Sequence, residues 1–160
     1  MTSLLLDTNV WLDYYLGHRT GHAAAFELIS RACAKDADLL YAAVSTKDVY
    51  YLIAFELKRQ ARAANEGMLA AHAAAAATET AWACLEHMDE LACAVGCDQT
   101  DIWTARKQRP LHGDYEDDLI IAAALRSRPS LLVTGDEELL RHAPVAALDV
   151  EGAIAYLESQ

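Results

Sequence analysis

Leu4, Leu5 and Leu6 stand together before the first acid of the chain. An unbroken apolar triplet, with no polar residue alternating through it, predicts a short strand buried on both faces. Asp7 follows at once, and Thr8 is placed to cap a helix over residues 9–16. After a turn at 17–21, a helix is expected over 22–34, with Phe26, Ile29 and Cys33 on one stripe and Ala25 and Leu28 beside it. Residues 39–44 read as a second strand. Ser45 then opens a helix to about Arg62, with Val49, Leu52, Ile53 and Leu57 on its apolar side. Asn65-Glu66-Gly67 is a break signal. The alanine-dense stretch 68–77 has high helix propensity, and helix is expected to continue through Trp82, Leu85 and Met88. A short strand at 91–95, a turn at 96–99, a helix at 101–107 and a loop at 110–113 lead to a strongly helical run, 115–126, that starts behind Asp114. Pro129 ends that region, and Leu131-Leu132-Val133 is a third buried strand. Thr134-Gly135-Asp136 turns it into a helix over 137–142. An edge strand at 146–148 and a helix at 150–157 complete the pattern. Strands and helices alternate, so the class is α/β with a mainly parallel sheet. No repeat and no long linker divides residues 1–160, which are expected to form a single domain.

Composition narrows the function. The 160 residues are 54% hydrophobic, which fits a folded globular chain, and carry a formal net charge of −11. That charge argues against attachment to nucleic acid through bulk positive potential. It leaves room for an enzyme that meets a polyanion through a metal and a few local cations, and it suits a basic protein partner. The apolar runs are too short to span a bilayer, and no secretion signal opens the chain, so a cytoplasmic location is expected. Cys33, Cys84, Cys93 and Cys97 form no CxxC pair and are expected to be reduced and mostly buried. His18 and His22 have i, i+4 spacing without the acid of a zinc-protease pattern, and read as a helix-surface pair.

The chemistry lies in acids at helix starts. Asp7 follows the first strand, Asp48 lies in the first helical turn after the second, Asp117 in the first turn behind Asp114, and Asp136 two residues past the third strand. Each also has a purely structural reading. Ser45-x-x-Asp48, Asp114-x-x-Asp117 and Thr134-x-x-Glu137 all resemble capping boxes. In a parallel sheet, however, strand C-termini share one edge, and acids carried there gather. Gathered carboxylates repel one another, and a hard divalent cation with oxygen ligands relieves that repulsion. Such an ion can activate water for phosphodiester cleavage.

These residues resemble the PIN-domain family, and within it the VapC-like toxin ribonucleases of type II toxin–antitoxin pairs. The likeness runs from Leu4-Leu5-Leu6-Asp7-Thr8-Asn9-Val10 through Tyr115-Glu116-Asp117-Asp118-Leu119, with its alanine-rich continuation, to Leu131-Leu132-Val133-Thr134-Gly135-Asp136. It implies a three-layer sandwich with a mainly parallel sheet flanked by helices. It also implies a Mg²⁺- or Mn²⁺-dependent endoribonuclease using one or two ions. Carried over by position, Asp7, Asp117 and Asp136 are the metal acids, and Asp48 joins them in the catalytic set. Asp48 departs from the family's usual glutamate; Glu56 is a fallback two turns further on. Asp114 and Asp118 adjoin Asp117, so the third ligand is open to a one-position shift. Asn9 and Thr134 become groups that orient ligands or substrate. The family also implies RNA as substrate, an antitoxin with a basic inhibitory segment, and a homodimer. Candidate RNA-binding cations are Lys47, Lys58, Arg59 and Arg62, with Arg106, Lys107 and Arg109 before Asp114. Trp11, Tyr14, Tyr50 and Tyr51 are expected in the core or an interface.

Two other readings stand beside this one. A haloacid dehalogenase-like phosphatase opens on an apolar strand and Asp-x-Asp, but here the second position is Asn9, which removes the general acid. A PIN-like module weakened in catalysis and kept for binding or assembly draws its support from Asp48 alone.

Overall fold

The computed structural model describes residues 2–110 and 113–160. Two residues of the loop expected at 110–113 therefore lie outside the described residues. Strand β1 (Ser3–Leu6) is the centre of a five-stranded sheet. It is paired in parallel with β2 (Asp38–Ala42) on one side and β4 (Leu131–Val133) on the other. β3 (Cys93–Val95) extends the sheet beyond β2, and β5 (Ala147–Leu148) extends it beyond β4. The spatial order is thus β3-β2-β1-β4-β5, with every pairing parallel.

Leu4, Leu5 and Leu6 are fully buried because both faces of β1 are covered. Leu4 and Leu6 join one core with Val10 and Trp11 of α1 (Thr8–Tyr15), Leu28 and Ile29 of α2 (His22–Ala34), and Val49 and Ile53 of α3 (Ser45–Ala64). The same core takes in Ala81 and Met88 of α4 (Ala71–Leu91), and Ala153 and Leu157 of the last helix, Val150–Glu158. Leu5 points the other way, as strand alternation requires. There it meets Ile120, Ala123 and Ala124 of the helix Tyr115–Ser127, together with Leu132. Helix α5 (Gln99–Gln108) packs on that helix, α6, to complete the layer. Small alanines at 122–124 let α6 lie close on the sheet. The remaining helices are α7 (Glu137–His142) and α8 (Val150–Glu158).

Several boundaries differ from the sequence expectation, each for a local reason. Asp7, not Thr8, caps α1: its Oδ1 accepts from the Thr8 amide at 2.6 Å, and Thr8 is already helical. The Ser45-x-x-Asp48 box does not form, because Ser45 is buried inside the first turn and its Oγ accepts from the Thr8 hydroxyl at 2.9 Å. Thr134 does not cap α7; Asp136 does, accepting from Glu138 and Leu139 amides at 2.8 and 3.0 Å. Among the described residues, the box that pairs on both arms is Asp98 with Asp101 at the start of α5. On α2 the buried stripe is Ala25, Leu28, Ile29 and Ala32, while Phe26 is exposed. Cys33, Cys93 and Cys97 are also exposed, against expectation, with Cys84 half-buried. Cys33 sits off the α2 stripe, and Cys93 lies on an edge strand. β3 is shorter than predicted because α4 runs on through Leu91. β2 stops at Ala42, since Ala43 and Val44 turn into α3.

α3 and α4 pack along each other as a long hairpin broken at 65–70, where Gly67 takes a φ of 85°. No described helix is long and apolar enough to cross a membrane.

Candidate functional site

In this strand order the connection leaving β1 runs toward β2, and the one leaving β4 runs toward β5. The two depart in opposite directions and leave a crevice at the carboxyl ends of β1 and β4. Asp7 and Asp136 arrive there from those two strands. The Asp7 amide donates to the Val133 carbonyl at 2.9 Å, so the ladder itself fixes Asp7 against β4. The Thr134 hydroxyl donates to Asp7 Oδ2 at 2.8 Å and accepts from the Asp136 amide at 3.0 Å. One side chain thereby links both acids.

Asp117 comes from the first turn of α6, behind Asp114, whose carboxylate accepts from the Glu116 amide at 2.8 Å and caps the helix. The charges reveal the assembly. Burial pushes the Asp7 carboxyl up to about 6; bonds from Thr134 and Thr8 pull it down, and the charges of Glu116 and Asp136 push it further up. Burial likewise pushes Asp117 up to about 7, helped by the neighbouring charges of Asp114, Asp7, Asp136 and Glu116. Glu116 is raised by burial and then by Asp48, while Thr8 and Lys47 oppose the shift. Asp7, Asp117, Asp136, Asp114, Glu116 and Asp48 thus form one electrostatically linked set across four elements.

Glu116 is the member that sequence reasoning passed over. It was visible as part of a run of acids on α6. Its direction, toward Asp48 and Thr8, depended on how α3 and α6 approach each other. The two helices flank an open groove of about 360 Å³, lined by Lys47, Asp48, Tyr115, Glu116 and Leu119 among others. Lys47 reaches Asp48 at 3.2 Å.

Other candidates fall elsewhere. Asp118 is buried and turned toward a different cavity, with Arg106, Arg109, Gly113 and Tyr115. Successive helical positions point about 100° apart, so a neighbour of Asp117 need not share its site. Glu56 is held down at about 2 by Arg59, with Gln60 and His18 also contributing, at the far end of a different surface. It lies eight residues beyond Asp48, about 12 Å along α3, and Lys58 and Arg62 lie further still. Arg59 is committed to Glu56 at 2.5 Å. Asn9 is exposed in the first turn of α1. His18 is in a turn, not a helix, and pairs with Glu56 at 3.0 Å, so the two histidines form no helical pair. Trp11 is fully buried, stacked on Tyr15 and met edge-on by Tyr14 and Tyr41.

The donor set is all oxygen and strongly anionic, which suits Mg²⁺ or Mn²⁺ over softer metals. Among the described residues, no three acidic, imidazole or thiol side chains converge into a ready-made metal cage. Mg²⁺ takes one or two carboxylates and completes its shell with waters and substrate phosphate. Carboxyls pushed up to about 6 and about 7 by burial and mutual repulsion are what a cation would relieve. The residues present fit such an ion.

Thr134 tunes this centre. Thr134→Val removes a donor to charged Asp7, so it is expected to cost about 1–2 kcal/mol near pH 8. The loss should be smaller near pH 5, where Asp7 binds a proton. Thermal unfolding of the two proteins at both pH values checks this; an equal loss at both would contradict it.

The sequence profile of the PIN domain family matches residues 3–138. A comparison with curated protein sequences finds no match. Among solved structures, VapBC2 from Rickettsia felis, bound to a DNA fragment from its promoter, is similar with a TM-score of 0.60 at 15% identity, covering 92% of this chain and 98% of that one. DNA-bound VapBC from Salmonella typhimurium gives 0.59 at 17% identity, with 94% and 99% covered. PAE2754 from Pyrobaculum aerophilum gives 0.59 at 20% identity, with 99% and 91% covered. At these identities the likeness is one of fold.

Proposed function

The chain belongs to the PIN domain family, and on that footing we propose that it is a Mg²⁺- or Mn²⁺-dependent endoribonuclease, the toxin of a toxin–antitoxin pair. The observation that carries this reading is the convergence of Asp7 and Asp136 at the crevice between β1 and β4, bridged by the Thr134 hydroxyl, with Asp117 raised by both their charges. In the proposal these three carboxylates hold the metal, with Asp48 and Glu116 across the groove as further acids. A bound ion supplies an activated water and charge neutralisation for phosphodiester hydrolysis. The chain's own residues do the rest. Thr134 and the Thr8 amide hold Asp7 in one orientation with its charge favoured. The α7 N-terminus fixes Asp136 through two amides. In the proposal Lys47 exchanges its contact with Asp48 for a backbone phosphate.

Glu116→Gln is expected to weaken Mn²⁺ binding about 10- to 100-fold while leaving the fold intact. Calorimetric titration of the metal-free protein measures this, and unchanged affinity would remove Glu116 from the site. The same titration separates the enzyme from the binding-module reading: the enzyme requires Mn²⁺ affinity that collapses in Asp7→Asn, and a scaffold does not. Neither the family match nor Asn9, exposed on α1, favours a phosphatase.

The partner reading rests on charge and exposure. A net charge of −11 favours a basic segment, and an antitoxin arginine seated among these carboxylates would displace the ion. Tyr51, Leu52 and Phe55 on α3 are exposed apolar residues, and Leu52 and Phe55 line a depression with Leu12 and Leu16. Such a surface suits a protein partner or a second copy in a homodimer. In this proposal the protein works as one domain in the cytoplasm.

A further inference from the structure

A second concavity lies beside the acidic groove, and its chemistry is opposite. Arg106 and Arg109 line a cavity of about 370 Å³ with Gly113, Tyr115 and Asp118. Tyr115 also lines the acidic groove with Lys47, Asp48 and Glu116. One ring, 52% exposed, therefore stands between the two.

The placement follows from how α5 and α6 pack. Arg126, near the end of α6, grips Asp101 in the first turn of α5 through two bonds of 2.8 and 2.6 Å. This clasp sets the helices antiparallel, so the C-terminal end of α5 comes to the N-terminal end of α6, where the acids are. Arg106 and Arg109 are three apart, and Arg109 is helical in φ and ψ, so both project from one helix face. Among the described residues neither makes an ion pair. Other cations nearby are engaged: Lys107 lies 3.4 Å over the Trp103 ring, Lys47 pairs with Asp48, and Arg126 holds Asp98 and Asp101. In a chain of net charge −11, two uncommitted guanidiniums beside an acidic centre need a reason. Buried Asp118 offsets part of their charge, so the described lining residues sum to a net positive charge.

Guanidinium forks match phosphate oxygens, and an exposed tyrosine offers a face on which any base can stack. The cavity has the size of a small-molecule site, so it admits a splayed nucleotide and not a duplex. We propose that Arg106, Arg109 and Tyr115 form a subsite for the nucleotide flanking the scissile bond of single-stranded RNA. Arg106 and Arg109 hold its phosphate, and Tyr115 stacks its base. The residues are positioning residues, and the word scissile rests on the nuclease reading above.

The test uses the full chain in EDTA and a fluorescein-labelled, mixed-sequence single-stranded RNA of about 12 nucleotides, read by anisotropy across a salt series. The double variant Arg106→Ala/Arg109→Ala should bind about tenfold or more weakly, and its salt slope should fall by about 1.4, the value for two lost phosphate contacts on a single strand. Tyr115→Ala should weaken binding about tenfold with the slope unchanged. Lys58→Ala/Arg62→Ala, on the outer length of α3, should match wild type. Wild type that does not bind, an arginine variant that binds like wild type, or an equal loss in the α3 variant would each overturn the subsite. Cleavage with Mn²⁺ separates the two claims. Cutting with unchanged KM in the arginine variant removes the subsite and leaves the nuclease. Arginine-dependent binding without any cutting by metal-loaded wild type removes the nuclease and leaves the subsite.

Discussion

Asp7→Asn is expected to lower metal-dependent RNA cutting by a factor on the order of 10³ and to stabilise the metal-free protein. Asp7 is 3% exposed, and its two oxygens already accept from Thr8 and Thr134. Asparagine keeps the shape and the helix cap, so the fold should survive. What disappears is a negative charge fixed in place by the β1–β4 ladder, and no other acid of the set arrives from that strand. The same removal relieves burial and repulsion that push the carboxyl up to about 6, which is why stability should rise at neutral pH. Cleavage rates at matched Mn²⁺, with melting temperatures of the same samples, test both halves. Activity within tenfold of wild type would take Asp7 out of the catalytic set.

The second large effect is on stability against pH. Asp7 has an ordinary value of 3.8 and a folded value of about 6. Between those values the native state holds the proton more tightly than the unfolded chain, so stability falls as pH rises through the window. The Asp7 contribution is on the order of 3 kcal/mol, full below about pH 4 and lost above about pH 6. Asp117 acts in the same direction over a window reaching about 7. Glu56 and Asp98, held low by Arg59 and Arg126, act in the opposite sense at lower pH. The metal-free protein should therefore melt highest at about pH 4 and lose stability toward pH 8. Mn²⁺ binds the deprotonated acids, so it should remove this loss at pH 8, adding about 2.7 kcal/mol at a hundredfold excess over Kd. Asp7→Asn should make the metal-free profile shallower and leave the part that Asp117 contributes. A slope undiminished in Asp7→Asn, or melting at pH 8 indifferent to Mn²⁺, would contradict this account of the acids.

Much of the architecture was readable because local and global signals agreed. Leu4-Leu5-Leu6 and Leu131-Leu132-Val133 have one sensible home, a strand covered on both faces, and both acids that follow them are fixed by chain direction. The third acid, Asp117, needed only α6 to start at the same edge. What failed was chemistry with two competing uses. Ser45 and Thr134 look like helix caps, yet the core took Ser45 for Thr8, and Asp7 took Thr134. The Cys33 thiol is exposed because a stripe drawn through Phe26 and Cys33 differs by one helical position from the true stripe through Ala25 and Ala32. Glu116 and the Arg106–Arg109 pair depend on how α3, α5 and α6 approach one another, and no periodicity encodes that.

The most direct measurement is incubation of purified protein with a total bacterial RNA pool, in Mn²⁺ and in EDTA, with matched DNA alongside. The account predicts RNA fragments with Mn²⁺, none in EDTA, and loss of cutting in Asp7→Asn and Asp117→Asn. Intact RNA after incubation with folded wild type that has bound Mn²⁺ would contradict it.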